Sequence, residues 1–529
     1  MERSKAFFNN AKLNVYDGVD LHTNLDEKTF GLLQQGCATV MDVAGQRELT
    51  SDEDLEKRIE ETVFRLRKLF DSPGYQIDIS LTRDPDRGEE TVANALSDAR
   101  QSAKSMGVDA EHIFKDTIRK LGGVVAFEKG LMVFKTSIYA LRPEEVESLR
   151  AKAAKEPFIK ARYGAATQFV GGETLLNNHR TMLRMLMQEL NRYWVVRELT
   201  VKDALRRIRQ EISPEMTPDS WMPVTWGDDL PFGKFVADED DISQLTPASF
   251  GVQLFPQKPF LSENPSIFRL GKRHIAPLNF YMLPQYPRRF STLFENLDPK
   301  LPFRLNISIE TGGAQLRRKM TGRKRMAQAL SLMNQRNKDI ATSATYIIGR
   351  LKEKMPLVII RANVATWGDS LEQVEQRKTQ IVNEFSAWGA PELRDNMEFP
   401  FATWMESIPG ITRTPASLPA PYFADEALKL LPMDRPSALW EKGSFLLRSE
   451  DGKLLPAKLF SKDQSTWNGL SLALPGSGKT VFLLARLFAA LFGAGSAGLP
   501  FQTLLDIGFS SEGYIDLVKS ILPEDKQDL

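Results

Sequence analysis

The spacing of apolar residues over positions 50–165 predicts alternating helices and strands. One helical face is indicated by five residues three or four positions apart: Leu55, Ile59, Val63, Leu66 and Phe70. The segment 72–74 (Ser-Pro-Gly) ends this helix, and YQIDISLT (75–82) alternates as a strand does. Helices are expected over 91–120 and 143–155, with paired strands between them over 123–141. The first 50 residues show little periodicity.

The clearest pattern of alternating strands and helices lies over 265–390. Strands are predicted at 278–286, 303–311 and 356–366. The long helix between the last two has an apolar stripe: Leu316, Met320, Ala327, Leu330, Ile340, Ala344, Ile347 and Leu351. Ser370 and Gln373 form a capping box that begins another helix. That helix is expected to bury a further stripe: Leu371, Val374, Ile381, Phe385 and Trp388. This order predicts a two-layer α/β sandwich with ferredoxin-like strand–helix units.

The remaining segments divide the chain into regions. A helical block covers 173–212 and is followed by a loop-rich stretch, whereas the segment before the last region is proline-rich. SFLLRSEDGKLLPAKLF (444–460) predicts a hairpin with its turn at Asp451 and Gly452. The predicted order is an N-terminal α/β region (1–165), a helical and loop-rich region (166–264), the sandwich module (265–390), a connector (391–440) and a last region (441–529).

Composition and charge exclude several classes of protein. Hydrophobic residues make up 42% and charged residues 26% of the chain, as in soluble globular proteins. The net charge is +1, so any attraction to nucleic acid or an acidic membrane has to be local. The single cysteine, Cys37, excludes an internal disulfide framework and indicates a reducing compartment. We expect neither a signal segment nor a membrane-spanning helix, and therefore a cytoplasmic or peripheral protein.

The strongest chemical signal is the sequence ALPGSGKT at 473–480. A phosphate-binding loop needs glycines that let backbone N–H groups face phosphate oxygens, a lysine for the β- and γ-phosphates, and a hydroxyl for Mg²⁺. Gly476 and Gly478 supply the flexibility, Lys479 the cation and Thr480 the magnesium ligand; Ala473 replaces the first glycine of the strict motif. The residues expected to bind ATP and magnesium are Pro475, Gly476, Ser477, Gly478, Lys479, Thr480 and Val481.

The segments around this loop favour nucleotide binding over a chance Gly-Ser-Gly-Lys-Thr sequence. GLSLAL (469–474) predicts a buried strand, and the apolar run from Val481 predicts a buried helix. A second strand at 501–508 carries Asp506 near its end. Asp506 either contacts a water, magnesium-bound or attacking, or hydrogen-bonds a neighbouring loop. We find neither a later apolar strand ending in acidic residues nor a downstream arginine finger, so no catalytic residue is expected within this chain.

A basic stretch is the other candidate site. Eleven Lys or Arg residues lie over 314–354 against Asp339 and Glu353, a local net charge of +9. The stretch is either the solvated face of a long helix or a docking surface for an acidic protein or membrane. Tyr346 is its only aromatic residue, so direct nucleic-acid binding is not expected. The four histidines, at positions 22, 112, 179 and 274, lack metal-ligand spacing and are expected to be structural or exposed.

The order of several motifs resembles the large traffic ATPases of type IV secretion and conjugation systems. These are ATPases of the TraC, TrbE and CagE kind, and the resemblance points to the IcmB/DotO and plasmid TraU class. It covers 265–529 and rests on FRLGKRHIAPLNFYMLPQYPRRF, VIIRANVATWGDSLEQVEQRKTQIVNEFSAWG, SIPGITRT, LLPMDRP and the hairpin before GLSLALPGSGKT. In that family a strand–helix module and a Pro-Gly loop lead through a hairpin into a RecA-like motor.

The resemblance implies an ATP-binding subunit that energises apparatus assembly or substrate transfer by ATP hydrolysis. Its partners would be further copies in a hexamer, other inner-membrane components of the secretion system and a second ATPase. It would lie peripherally on the cytoplasmic face of the inner membrane. Residues 441–529 would be the incomplete start of a RecA-like P-loop ATPase domain, with the catalytic acid and arginine finger beyond residue 529 and this chain alone inactive. The alternatives are a non-catalytic docking scaffold with an incomplete P-loop and a related DNA-translocating motor.

Overall fold

The fold consists of two compact units, each assembled from separate segments of the chain. The computed structural model describes residues 18–153, 172–218, 220–229, 246–284, 287–313, 355–464, 466–474, 476–493, 498–505, 511–523 and 527. Unit 1 comprises Met1–Thr82, Lys129–Leu297 and Phe303–Arg435, and unit 2 comprises Arg83–Glu128, Asp298–Pro302 and Pro436–Leu529. The basic stretch and the long helix predicted within it lie outside the described residues.

The elements of both units follow in chain order. The strands are β1 (Leu21–Asn24), β2 (Phe30–Leu32), β3 (Gly36–Gln46), β4 (Tyr75–Asp84), β5 (Phe127–Ser137), β6 (Trp194–Glu198), β7 (Phe260–Leu261), β8 (Phe268–Leu270), β9 (Arg273–Met282), β10 (Phe303–Glu310), β11 (Leu357–Gly368), β12 (Glu392–Asp395), β13 (Ala420–Phe423), β14 (Phe445–Arg448) and β15 (Leu454–Ala457). The helices are α1 (Asp52–Arg65), α2 (Arg67–Asp71), α3 (Gly88–Ala95), α4 (Ser97–Ser105), α5 (Glu111–Gly122), α6 (Pro143–Ala153), α7 (Gly172–Leu190), α8 (Val201–Ile212), α9 (Phe250–Leu254), α10 (Leu371–Ser386), α11 (Pro400–Ser407), α12 (Ala424–Lys429), α13 (Lys479–Leu491) and α14 (Glu512–Ile521).

The described part of the chain contains a large sheet, in which β3, β5, β4, β10, β11 and β9 are successive neighbours. The pairs β3–β5, β10–β11 and β11–β9 are antiparallel. Strands from the predicted regions 1–165 and 265–390 are therefore adjacent in one sheet. The predicted α/β class is confirmed, as a large antiparallel sheet covered by helices.

The first 50 residues contain three strands where the sequence showed little periodicity. Ten of the eleven residues of β3 are buried, on both faces of the sheet. A strand buried on both faces has no polar side to alternate with its apolar side, so the sequence of β3 lacks the alternation that predicts a strand. Gly36 and Ala38 also weaken the strand signal, since glycine and alanine are depleted in strands.

The paired strands predicted over 123–141 are wrong, because this segment forms the single strand β5. The whole length from Gly130 to Ser137 pairs with β3 rather than folding into a hairpin. Gly130 lies where the backbones of β5 and β3 approach closely, not at a turn. A Cβ atom there would lie 2.5 Å from the carbonyl oxygen of Val43. Glycine is the residue expected where one backbone approaches another this closely.

The elements predicted over 355–390 are confirmed. β11 and α10 follow one another as expected, and the Ser370 hydroxyl accepts a hydrogen bond from the Gln373 N–H at 3.2 Å. α10 buries Val374, Ile381 and Phe385. It is terminated by Gly389 and Ala390, both of which have positive φ angles, 77° and 56°.

An apolar cluster of unit 1 lies where α8, α9 and α11 pack against the sheet. Trp404 of α11 is 1% exposed and contacts the rings of Phe268 and Phe255, with centroids 5.4 and 6.2 Å away. Beside it, Arg304 and Glu211 form an ion pair with an Nη1–Oε2 distance of 3.2 Å, both side chains being less than 10% exposed. This part of the sheet is therefore held by aromatic packing together with a buried ion pair.

Unit 2 joins helices from near residue 100 to the last hundred residues. Its core includes Ala99 and Phe114 from the earlier segment, and Leu491, Phe492 and Ile521 from the later one. The predicted hairpin is confirmed as β14 and β15, with the turn at Asp451 and Gly452. Two backbone contacts tie the segments together: Asp109 N–H donates to Ile521 O, and Gly443 N–H donates to Ala95 O. Within the described residues, no helix is long and apolar enough to cross a membrane.

Candidate nucleotide-binding loop

The loop predicted to hold phosphate has the backbone that its glycines allow. Gly476 and Gly478 have φ angles of 82° and 85°, in the left-handed region that residues with a side chain rarely adopt. Ser477, between them, turns the chain back on itself, because both its N–H and its hydroxyl donate to Leu474 O, at 3.2 and 2.7 Å. A non-glycine residue at position 476 or 478 would strain this turn.

Helix α13 begins at Lys479, directly after the loop. Its N-cap is Gly478, which has no side chain to bond the first-turn N–H groups, and no acidic residue lies in that turn. Lys479 and Thr480 are exposed at the same end. The positive end of the helix dipole and the Lys479 ammonium therefore occur together, an arrangement that favours an anion. Apart from residues adjacent in the chain, no described residue lies within 4 Å of where Cβ atoms of Gly476 and Gly478 would be, so the loop can be approached by a ligand.

The strands predicted on either side of α13 are wrong for the residues that the structure describes. Residues 469–474 and 501–505 have no strand pairing, and their apolar side chains are exposed: Leu470 85%, Leu472 85%, Leu474 81%, Phe501 99% and Leu505 93%. An apolar sequence forms a strand only where a neighbouring strand hydrogen-bonds with its backbone N–H and C=O groups. Among the described residues, none does so here.

The helix predicted from Val481 is confirmed, but its burial is uneven. Ala489 and Leu491 are buried, and Phe492 just beyond the helix contacts the ring of Phe114 at 5.4 Å. At the other end Val481 is 71% exposed. The C-terminal half of α13 is therefore anchored in the core of unit 2, while the half next to the loop is open.

Side chains on α13 position the segments around the loop. Phe482 packs edge-on against Phe445 of β14, with ring centroids 5.4 Å apart. The Arg486 guanidinium lies so close to Gly469 that a Cβ atom there would be 2.6 Å from Nη1. Gln502 donates to Leu487 O at 2.9 Å and so places the segment that follows the helix. These contacts were not predicted, because they depend on which face of α13 meets each segment.

The structure places the predicted site residues from Gly476 to Val481 together at one loop and helix start. Pro475 and Asp506 lie outside the described residues, so the two roles considered for Asp506 both remain predictions. Among the described residues no cluster of His, Cys, Asp or Glu is arranged to hold a metal ion. Of the four histidines, His179 is fully buried in unit 1 and His112 is exposed.

Neither a protein-family model nor a curated protein matches this chain. The resemblance to traffic ATPases therefore rests on the motifs quoted above.

Proposed function

We propose that this chain is an ATP-binding subunit of a bacterial type IV secretion or conjugation apparatus. The observation that carries the proposal is the loop from Gly476 to Thr480, in which two left-handed glycines lead directly into an apolar helix that starts with Lys479. The order of the motifs before the loop supplies the secretion context. In this proposal the start of a RecA-like domain lies in 441–529, and the protein works on the cytoplasmic face of the inner membrane as part of a hexamer.

The loop residues would divide the binding of ATP and magnesium among them. The N–H groups of Gly476, Ser477 and Gly478 would face phosphate oxygens, and the Lys479 ammonium would neutralise the β- and γ-phosphates. The Thr480 hydroxyl would ligate magnesium, whose role is to screen the charge between the phosphates. The exposed, uncapped start of α13 fits this role, since its N–H groups are not taken by a side chain of Gly478.

A binding experiment tests the proposal directly. Equilibrium titration with a fluorescent ATP analogue and magnesium should show binding to the wild-type chain that Lys479→Ala weakens. A hydrogen bond to a charged group contributes about 1.5–3 kcal/mol, so we expect affinity to fall about 10- to 150-fold. Lys519→Ala is the matched control, because Lys519 is an exposed lysine of α14 in the same unit. Equal affinity of wild type and Lys479→Ala would contradict the proposal.

The second candidate is a non-catalytic docking scaffold. It is favoured by the exposed segments 469–474 and 501–505, since a loop between unpaired segments is less rigid than one between sheet strands. The same titration separates the candidates. A scaffold would show no saturable magnesium-dependent binding in either variant, although both chains are folded.

A further inference from the structure

Three asparagines lie side by side across three neighbouring strands of unit 1. Asn306 of β10 is directly opposite Asn363 of β11, and Asn363 is directly opposite Asn279 of β9. Residues opposite one another in adjacent antiparallel strands point to the same face of the sheet. That face lies under α11, because Asn306 Nδ2 donates to the Glu406 carbonyl oxygen at 2.9 Å. Asn279 Nδ2 lies 3.5 Å from the Thr403 hydroxyl on the same helix.

The side chain of the middle asparagine has no hydrogen-bond partner among the described residues. Asn363 is fully buried, and both its Oδ1 and its Nδ2 are unpaired. The Oδ1 atoms of Asn279 and Asn306 are also buried and unpaired. Buried amide groups are nearly always hydrogen-bonded in folded proteins. The side of α11 that covers the asparagines is polar as well, since Thr403 and Ser407 are buried there.

We propose that the row Asn279–Asn306–Asn363 binds a buried water molecule beneath α11. The unpaired atoms are three acceptors, the Oδ1 atoms, and one donor, Nδ2 of Asn363. A water molecule donates two hydrogen bonds and accepts others, so it can bond two of the oxygens and the single donor together. A monovalent cation would bond only the oxygens and would repel the Nδ2 hydrogens, which makes it the poorer occupant.

The water would act as part of the attachment of α11 to the sheet. The neighbouring residues Trp404 and Met405 of this helix belong to the apolar cluster, whereas its asparagine-facing side is polar. The same helix carries Glu406, whose carboxylate accepts hydrogen bonds from the N–H groups of Ala416 and Ser417 at 2.7 and 2.9 Å. A water under α11 would therefore help to fix the chain from 400 to 417. This inference is independent of the proposed nucleotide binding.

A high-resolution crystal structure of the wild-type chain, grown with sodium and then soaked in rubidium, tests the proposal. We expect a density peak within hydrogen-bond distance of Asn363 Nδ2 and at least one neighbouring Oδ1, without anomalous rubidium signal. An anomalous peak would show a cation site and overturn the proposal. Asparagine side chains turned to bond one another, with no peak between them, would overturn it too.

Thermal unfolding of variants gives a second measurement in solution. Asn363→Leu should lower the melting temperature, because it removes the donor and leaves the oxygens of Asn279 and Asn306 without the water. Asn383→Leu is the matched control, since Asn383 is exposed on α10. Asn363→Asp should also lower the melting temperature, equally in sodium, potassium and rubidium chloride. A melting temperature of Asn363→Leu at or above that of wild type, or a rescue of Asn363→Asp by one cation, would contradict the water site.

Discussion

His179 makes the stability of unit 1 depend on pH in a way that can be measured. The imidazole lies on α7, fully buried, between two threonine hydroxyls: Thr39 Oγ1 is 2.9 Å from Nε2 and Thr136 Oγ1 is 2.8 Å from Nδ1. It stacks on the Phe134 ring, with centroids 5.3 Å apart. Burial disfavours the charged imidazolium and lowers the pKa of His179 from 6.5 to about 4.

The sign of the effect follows from this lowered pKa. Below pH 6.5 the unfolded chain takes up a proton at position 179, while the folded chain does not until the pH approaches 4. Stability is therefore retained above pH 6.5 and is lost as the pH falls toward the folded pKa. At about 1.4 kcal/mol per pKa unit, His179 should remove about 2 kcal/mol by pH 5 and about 3 kcal/mol by pH 4.

The perturbation is His179→Gln, which offers hydrogen-bonding groups to the two threonines but does not titrate. Urea unfolding at pH 7 and pH 5 should show the variant losing about 2 kcal/mol less than wild type over this interval. Some pH dependence should remain, because burial also lowers the pKa of His22 to about 4. An NMR titration of the His179 ring in the folded chain checks the premise. A pKa near 6.5, or equal pH dependence of wild type and His179→Gln, would refute the reasoning.

Two further predictions concern catalysis and the buried ion pair of unit 1. The purified chain with magnesium and ATP should release little or no phosphate, because the parts for turnover beyond the phosphate loop were not found in its sequence; robust turnover that Lys479→Ala abolishes would contradict this. Arg304→Met should lower the free energy of unfolding by about 3–5 kcal/mol, because it leaves the buried Glu211 carboxylate without its cation. Adding Glu211→Leu should recover much of that loss, because it removes the unpaired charge. Urea unfolding measures the free energy of unfolding of Arg304→Met and of the double variant. Equal stability of these two variants would count against a charge effect.

Local patterns predicted those elements whose signals are complete within a short window. The capping box of Ser370 and Gln373, the α10 stripe and the Asp451–Gly452 turn are of this kind, and all three are found. The loop from Gly476 to Thr480 is local in the same sense, because its glycines and Lys479 are consecutive. The candidate binding residues were therefore accessible from the sequence, although nucleotide binding itself remains a proposal.

By itself, the sequence determined the α/β class, many of the helix and strand positions and the identity of the candidate phosphate loop. Only the tertiary structure decided that helices near residue 100 share a core with α13, that β5 is one strand, and that 469–474 is unpaired. It also decided that Asn279, Asn306 and Asn363 meet in one row across three strands. The physical reason is that strand pairing and burial depend on partners distant in sequence. An apolar or polar residue shows what it favours locally, but not which distant backbone or side chain will lie opposite it.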